Sequence, residues 1–324
     1  MARHLLSLFL RQFALALPLF LLVALGFGLV RFAGWNRQVS DGMSTFVFSV
    51  ALPALLFRLM SDFSHLPPVD ARLLLAFFGA CLLTFLLGHA LGGRLFRLDA
   101  TGRAILGLAT VFSNNVLLGI PLARATLGNA AIPAVALVLV FNALTLWTLL
   151  SVAIEWSKHG SFDLRGLRNT AMAVLRNPLV MAIVLGAGFG LTGWTLPGLL
   201  DQTMRQIAEP AGALSLIVLG MGLAEHDIRS GWRQSLVICA LKLCVQPLAV
   251  WAIAALIHLP PMETRVVVLL GSLPTGANVY LMAQQYQRMQ GTVAASMVLA
   301  TLISALTTPM FLVLLSAVYG PLPG

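Results

Sequence analysis

Charged residues are scarce in this 324-residue chain: Asp, Glu, Lys and Arg make up 10% of it, against about a quarter in a water-soluble domain. That shortage excludes a soluble enzyme, a disordered scaffold and a protein held by a single anchor. Cysteine is almost absent. Cys81, Cys239 and Cys244 lie inside apolar runs with no CxxC spacing, so neither a disulfide framework nor a metal site is expected and the three are read as packing residues. Also missing are HExxH, paired intramembrane aspartates, a Gly-x-Ser-x-Gly elbow and a phosphate-binding loop. The chain is therefore not expected to be an enzyme, to carry a cofactor or to drive work from a nucleotide site of its own.

What is present is apolar. Hydrophobic residues make up 59% and the mean hydropathy is +0.93. Uncharged runs at 73–93, 104–123, 125–154, 177–200, 243–262, 266–287 and 289–324 are each long enough to cross a hydrocarbon core of roughly 30 Å. Apolar length and Gly, Pro and charge punctuation predict an all-α polytopic membrane protein. Its ten spans fall near 12–31, 40–60, 73–93, 104–123, 130–154, 174–192, 205–224, 235–257, 265–284 and 293–317. The net charge of +9 is scattered singly through loops, so it is read as membrane topology, with no nucleic-acid partner. Seven basic residues (Arg3, Arg11, Arg58, Arg72, Arg124, Arg205 and Arg265) share the side of the termini, and the other loop cations, twelve from Arg31 to Arg288, face the opposite side. That asymmetry puts the termini outside, on the periplasmic face of a cell inner membrane.

An internal repeat follows. Phe141-Asn142-Ala143-Leu144-Thr145 matches Ile303-Ser304-Ala305-Leu306-Thr307 at an offset of 162, and the same offset carries Asn114-Asn115 into Thr275-Gly276-Ala277-Asn278. Two five-span halves, 1–157 and 158–324, are expected, and an odd number of spans per half makes their topologies inverted. Both corresponding segments carry unusual residues: Ser113, Asn114 and Asn115 ahead of Pro121 in span four, and Pro274, Thr275, Gly276 and Asn278 in span nine. Pro121 should open span four near Leu117, because proline has no N–H and clashes with the carbonyl four residues back. Opened backbone at that depth is tolerated only inside protein or along a wet cavity. Two broken helices meeting at the midplane would aim the N-termini of their second halves at one point, which suits an anion such as a carboxylate.

These segments, Ser113-Asn114-Asn115-Val116-Leu117-Leu118-Gly119-Ile120-Pro121-Leu122 and Leu273-Pro274-Thr275-Gly276-Ala277-Asn278-Val279-Tyr280, resemble the paired crossover segments of the auxin efflux carrier family. The resemblance covers nearly the whole chain and extends to Ala51 through Phe57, Trp147-Thr148-Leu149 with Glu155, and Leu241-Lys242-Leu243 with Pro247. It implies a scaffold of spans one, two, six and seven, a moving part that holds crossed spans four and nine, and carriage of a small organic anion such as malonate or an auxin-like acid. Ser113-Asn114-Asn115 departs from the Pro-Asn-Thr pattern of plant auxin exporters, and the short loop after span five resembles the bacterial branch.

Lys242 is a cation well inside a span, and Glu209 beside Pro210 is a candidate membrane-embedded carboxylate. Either is a candidate for coupling or charge compensation, with a tether to helix ends as the plainer role for Lys242 and snorkelling to water as that for Glu209. Asp41 is expected to cap span two. The spacings Gly88/Gly92 and Gly186/Gly190 fit close helix packing, and a homodimer in the lipid bilayer is the expected assembly. A sodium-coupled organic-anion symporter of the bile-acid-symporter type and a channel are the competing readings. The residues leave proton coupling, sodium coupling and facilitated transport all open.

Overall fold

A computed structural model describes residues 2–61, 69–159, 178–224 and 231–320, and the described part is helical. The helices are α1 (Ala2–Arg31), α2 (Arg37–Phe46), α3 (Leu52–Ser61), α4 (Arg72–Phe96), α5 (Ala100–Ala109), α6 (Ile120–Leu127), α7 (Ile132–His159) and α8 (Pro178–Leu191). They continue as α9 (Gly198–Ala208), α10 (Ala211–Ala224), α11 (Trp232–Ala240), α12 (Gln246–Leu256), α13 (Pro261–Ser272), α14 (Ala277–Gln285) and α15 (Gln290–Tyr319). Among the described residues, five helical stretches are long and apolar enough to cross a bilayer: Arg37–Arg58, Arg72–Phe96, Gly198–Ala224, Trp232–Leu256 and Gln290–Tyr319. Shorter apolar helices cover Ala16–Arg31, Asn115–Leu127, Asn129–Asn142 and Pro178–Leu191. The polar connection after span five, with Arg165, Arg168 and Arg176, lies outside the described residues, as does Arg229.

Three prolines shape the long helices in the same way. Pro53, Pro121 and Pro247 each follow, by two residues, the end of a π-turn at Val47–Ala51, Asn115–Gly119 and Leu241–Val245 respectively. The residue before each proline donates its N–H five residues back: Leu52 to Val47, Ile120 to Asn115 and Gln246 to Leu241. A widened turn is how a helix absorbs the missing donor and ring clash of proline without breaking. The opening expected near Leu117 is therefore absent. The Leu117 carbonyl, which Pro121 has no N–H to meet, accepts the Ser215 hydroxyl from α10 at 3.0 Å, and the chain leaves helical geometry earlier, around Ser113 and Asn114.

Small residues set the packing. α1 lies along α10, and a Cβ on Gly26 or Gly220 would fall 2.0 Å from the Ile217 carbonyl oxygen or 1.9 Å from that of Val23. Only glycine permits that approach. Gly186 does the same for α8 on α3, where a Cβ would meet the Phe57 oxygen at 2.5 Å. α4 packs on α5 and α12, and α11 on α15. The helix of span two starts earlier than expected: Asn36, not Asp41, is its cap, accepting the Val39 N–H at 3.1 Å. Asp41 sits inside the helix on an exposed face, 3.8 Å from Arg37, because the helix already begins at Arg37 behind the Asn36 cap.

Candidate functional site

The polar run of span four and the Pro-Thr-Gly of span nine come together. Ser113 and Thr275 form an isolated antiparallel β-bridge. Beside it the Asn114 N–H donates to the Pro274 carbonyl at 2.9 Å and the Gly276 N–H donates to the Phe112 carbonyl at 2.8 Å. Extended backbone buried away from water has to find partners, and each break supplies them to the other. The pairing also explains the residue types. Proline has no N–H to satisfy, and a Cβ on Gly276 would lie 3.0 Å from the Ser113 oxygen.

Ending α5 and α13 inside the protein leaves carbonyls without helical donors. Side chains from elsewhere meet them. The Thr275 hydroxyl donates to the Ala109 carbonyl at 3.0 Å and Gln246 Nε2 to that of Val111 at 3.0 Å. For α13, Lys242 Nζ donates to Gly271 at 2.8 Å and the Thr308 hydroxyl to Ser272 at 3.0 Å. Lys242 and Gln246 stand one turn apart at the π-turn between α11 and α12, so one helix serves the ends of both broken ones. An ammonium at a helix C-terminus also meets the negative end of the helix dipole. Lys242 is completely buried, and it is bound to a carbonyl instead of facing the cavity described next.

The bridge region also borders a cavity of about 140 Å³. Its polar wall is Ser113, Asn114, Asn115, Asn142, Gly276 and Asn278, and its apolar wall includes Phe48, Leu139, Leu179, Val180 and Ile183. Ser113, Asn114, Asn115 and Asn142 are only 1–5% exposed. Even so, Ser113 Oγ, the Nδ2 atoms of Asn114 and Asn115, and the Oδ1 atoms of Asn115 and Asn142 have no hydrogen-bond partner. Buried polar groups are normally paired, so a cluster of unpaired ones around one cavity marks a place where something else binds. Val116 and Leu117 also line it, in the first turn after the span-four break. The opening turns there and at Ala277 have N–H groups with no partner in their own helices.

The expected site residues thus separate. Ser113, Asn114, Asn115, Gly276 and Asn278 meet around the cavity. Pro121, Pro274 and Thr275 are not among its lining residues: Pro121 packs toward Gly212, while Pro274 and Thr275 are used in the crossing itself. Glu209 lies exposed between α9 and α10, paired with Arg205 at 2.8 Å, and does not line the cavity. Two residues escaped the sequence reading. Asn142 was visible as an amide in the middle of an apolar run, and Gln246 as a second polar residue one turn from Lys242.

Comparison with known proteins supplies the family. A family model described as "Membrane transport protein" matches residues 13–312. The chain belongs to that family, which includes the auxin efflux carriers. One relative is a protein of Rhizobium meliloti (strain 1021) named "Putative malonate transporter", 27% identical over 314 residues that cover 95% of this chain and 97% of that one. Another is "Auxin efflux carrier component 8" of Arabidopsis thaliana, 23% identical over 353 aligned residues covering 92% and 95% of the two chains. This family member is a multi-pass membrane protein by its apolar helices and its family together.

Proposed function

We propose that this protein is a secondary transporter that carries a small organic anion through the cavity beside the paired breaks by alternating access. One observation carries the reading: two helix N-termini and four buried polar side chains with unpartnered atoms meet at a cavity that has no charged residue among its described lining residues. Partial positive charge and free donors without a fixed cation favour a carboxylate that has to be released again. At about 140 Å³ the cavity is smaller than the roughly 300–1,000 Å³ that hold drug-sized ligands, which favours a small acid over one the size of a bile acid. Both relatives bear the names of organic-acid carriers.

In this reading the chain spans the cytoplasmic membrane ten times as two inverted repeats, 1–157 and 158–324, with both termini outside. The packing supports it: a five-span offset exchanges the α1–α10 pair with the α8–α3 pair, two of the most extensive helix contacts. α1, α2–α3, α8 and α9–α10 form the scaffold, against which the unit holding the two breaks rocks. Lys242 fixes the carbonyl end of α13 and takes no part in ligand contact. The test is counterflow of labelled carboxylates in proteoliposomes: saturable exchange in wild type and its loss in Asn114→Ala are expected. A current that does not saturate, or wild-type exchange in Asn114→Ala, would refute the proposal.

A further inference from the structure

The cavity has a charge balance that narrows its ligand, an inference that rests on the transporter reading above. Among the described residues the lining holds no Arg, Lys, His, Asp or Glu, and Lys242 Nζ is bound to the Gly271 carbonyl, so within the described lining positive potential comes from the two helix N-termini. Each amounts to roughly half an elementary charge. Their sum is at most about +1, because the negative ends of α5 and α13 lie at the same crossing, so it balances no more than one carboxylate and leaves a second one desolvated without a counter-charge.

The unpaired atoms narrow it further. Asn114 Nδ2 and Asn115 Nδ2 are donors, whereas Asn115 Oδ1 and Asn142 Oδ1 are acceptors. A carboxylate only accepts, so it answers the first pair and leaves the second unmet. A hydroxyl on the carbon beside the carboxylate supplies a donor for those acceptors. Leu139, Leu179, Val180 and Ile183 offer the rest of the ligand an aliphatic wall. We infer that the cavity takes a small monoanionic 2-hydroxy acid with a branched aliphatic body, and that dicarboxylates are poor ligands.

Thermal shift and counterflow with 2-hydroxyisovalerate, isovalerate and malonate at equal concentration and neutral pH test this in the purified full-length protein. The hydroxy acid should bind about tenfold more tightly than malonate and about threefold more tightly than isovalerate. Malonate binding as tightly as either monoacid overturns the inference while leaving an organic-anion carrier in place. Isovalerate matching the hydroxy acid overturns the hydroxyl. If no acid binds or exchanges, the functional proposal itself falls. Asn142→Leu removes an acceptor that has no protein partner, and the roughly threefold preference for the hydroxy acid over isovalerate should fall to about one, whatever the variant's absolute affinity for either acid. A retained preference in that variant also overturns the inference.

Discussion

The break in span four and the break in span nine match in sequence position and pair with each other, yet they are built for different work. Around Ser113 to Asn115 the backbone is satisfied by its partner strand while the side chains are left open toward the cavity. Around Pro274 to Gly276 nothing is left over: Pro274 gives only a carbonyl, Gly276 has no side chain, and the Thr275 hydroxyl is bound to Ala109. At these residues one break presents side-chain chemistry and the other braces it, and span nine returns to the cavity wall only at Gly276 and Asn278. Similar motifs in two repeats therefore need not hold similar roles, and substitutions should separate the two.

The largest difference is expected between Asn115→Leu and Thr275→Val. Asn115 has two unpartnered buried polar atoms, and replacing them with apolar ones is close to neutral or stabilising. Its thermal midpoint should hold or rise while counterflow falls by about a hundredfold, on the order of 2.7 kcal/mol; a large drop in midpoint would mean that Asn115 braces the fold as Thr275 does. Thr275→Val leaves the buried Ala109 carbonyl without its donor and should cost about 1–3 kcal/mol of stability, read as a lower thermal midpoint with ligand affinity retained in the folded fraction. Next in size, Gln246→Leu strands the Val111 carbonyl and should cost about 1–2 kcal/mol by the same reasoning. An unchanged midpoint there would show that the α5 end needs no brace. Smallest is Glu209→Gln. It removes an exposed pair with Arg205 worth roughly 0.3–0.5 kcal/mol, and transport should continue at the wild-type rate; a halved rate would bring Glu209 back as a coupling group.

The places where the helices break were readable because Pro, Gly and Asn are unusual in apolar spans, and so were the residues of the polar wall apart from Asn142. The location of the span-four opening was not. Pro121 looks like a helix breaker until Ser215, almost a hundred residues later in sequence, arrives to take the Leu117 carbonyl. Thr275 and Asn115 also read alike in one dimension, as small polar residues beside a break. Their difference lies in whether a carbonyl from the other repeat comes within reach, which is a property of the tertiary pairing. Asn36 displaced Asp41 as a cap for a more local reason, since the helix begins at Arg37 and the acid falls inside it.

The three π-turns have a consequence for helical phase. A widened turn holds one residue more than an α-turn, and each residue advances an α-helix by about 100°, so everything C-terminal to Pro53, Pro121 and Pro247 faces a direction that the upstream periodicity does not give. Replacing Pro121 with alanine should restore the missing donor yet leave the surplus residue in place. Deleting one residue of Asn115–Gly119 as well would straighten the helix and swing Ala123 and Leu127 out of the core they now fill. The proline and the extra residue thus form one structural unit, and a hydrophobic stripe traced through such a helix should be read in two pieces, with its face reset at the turn.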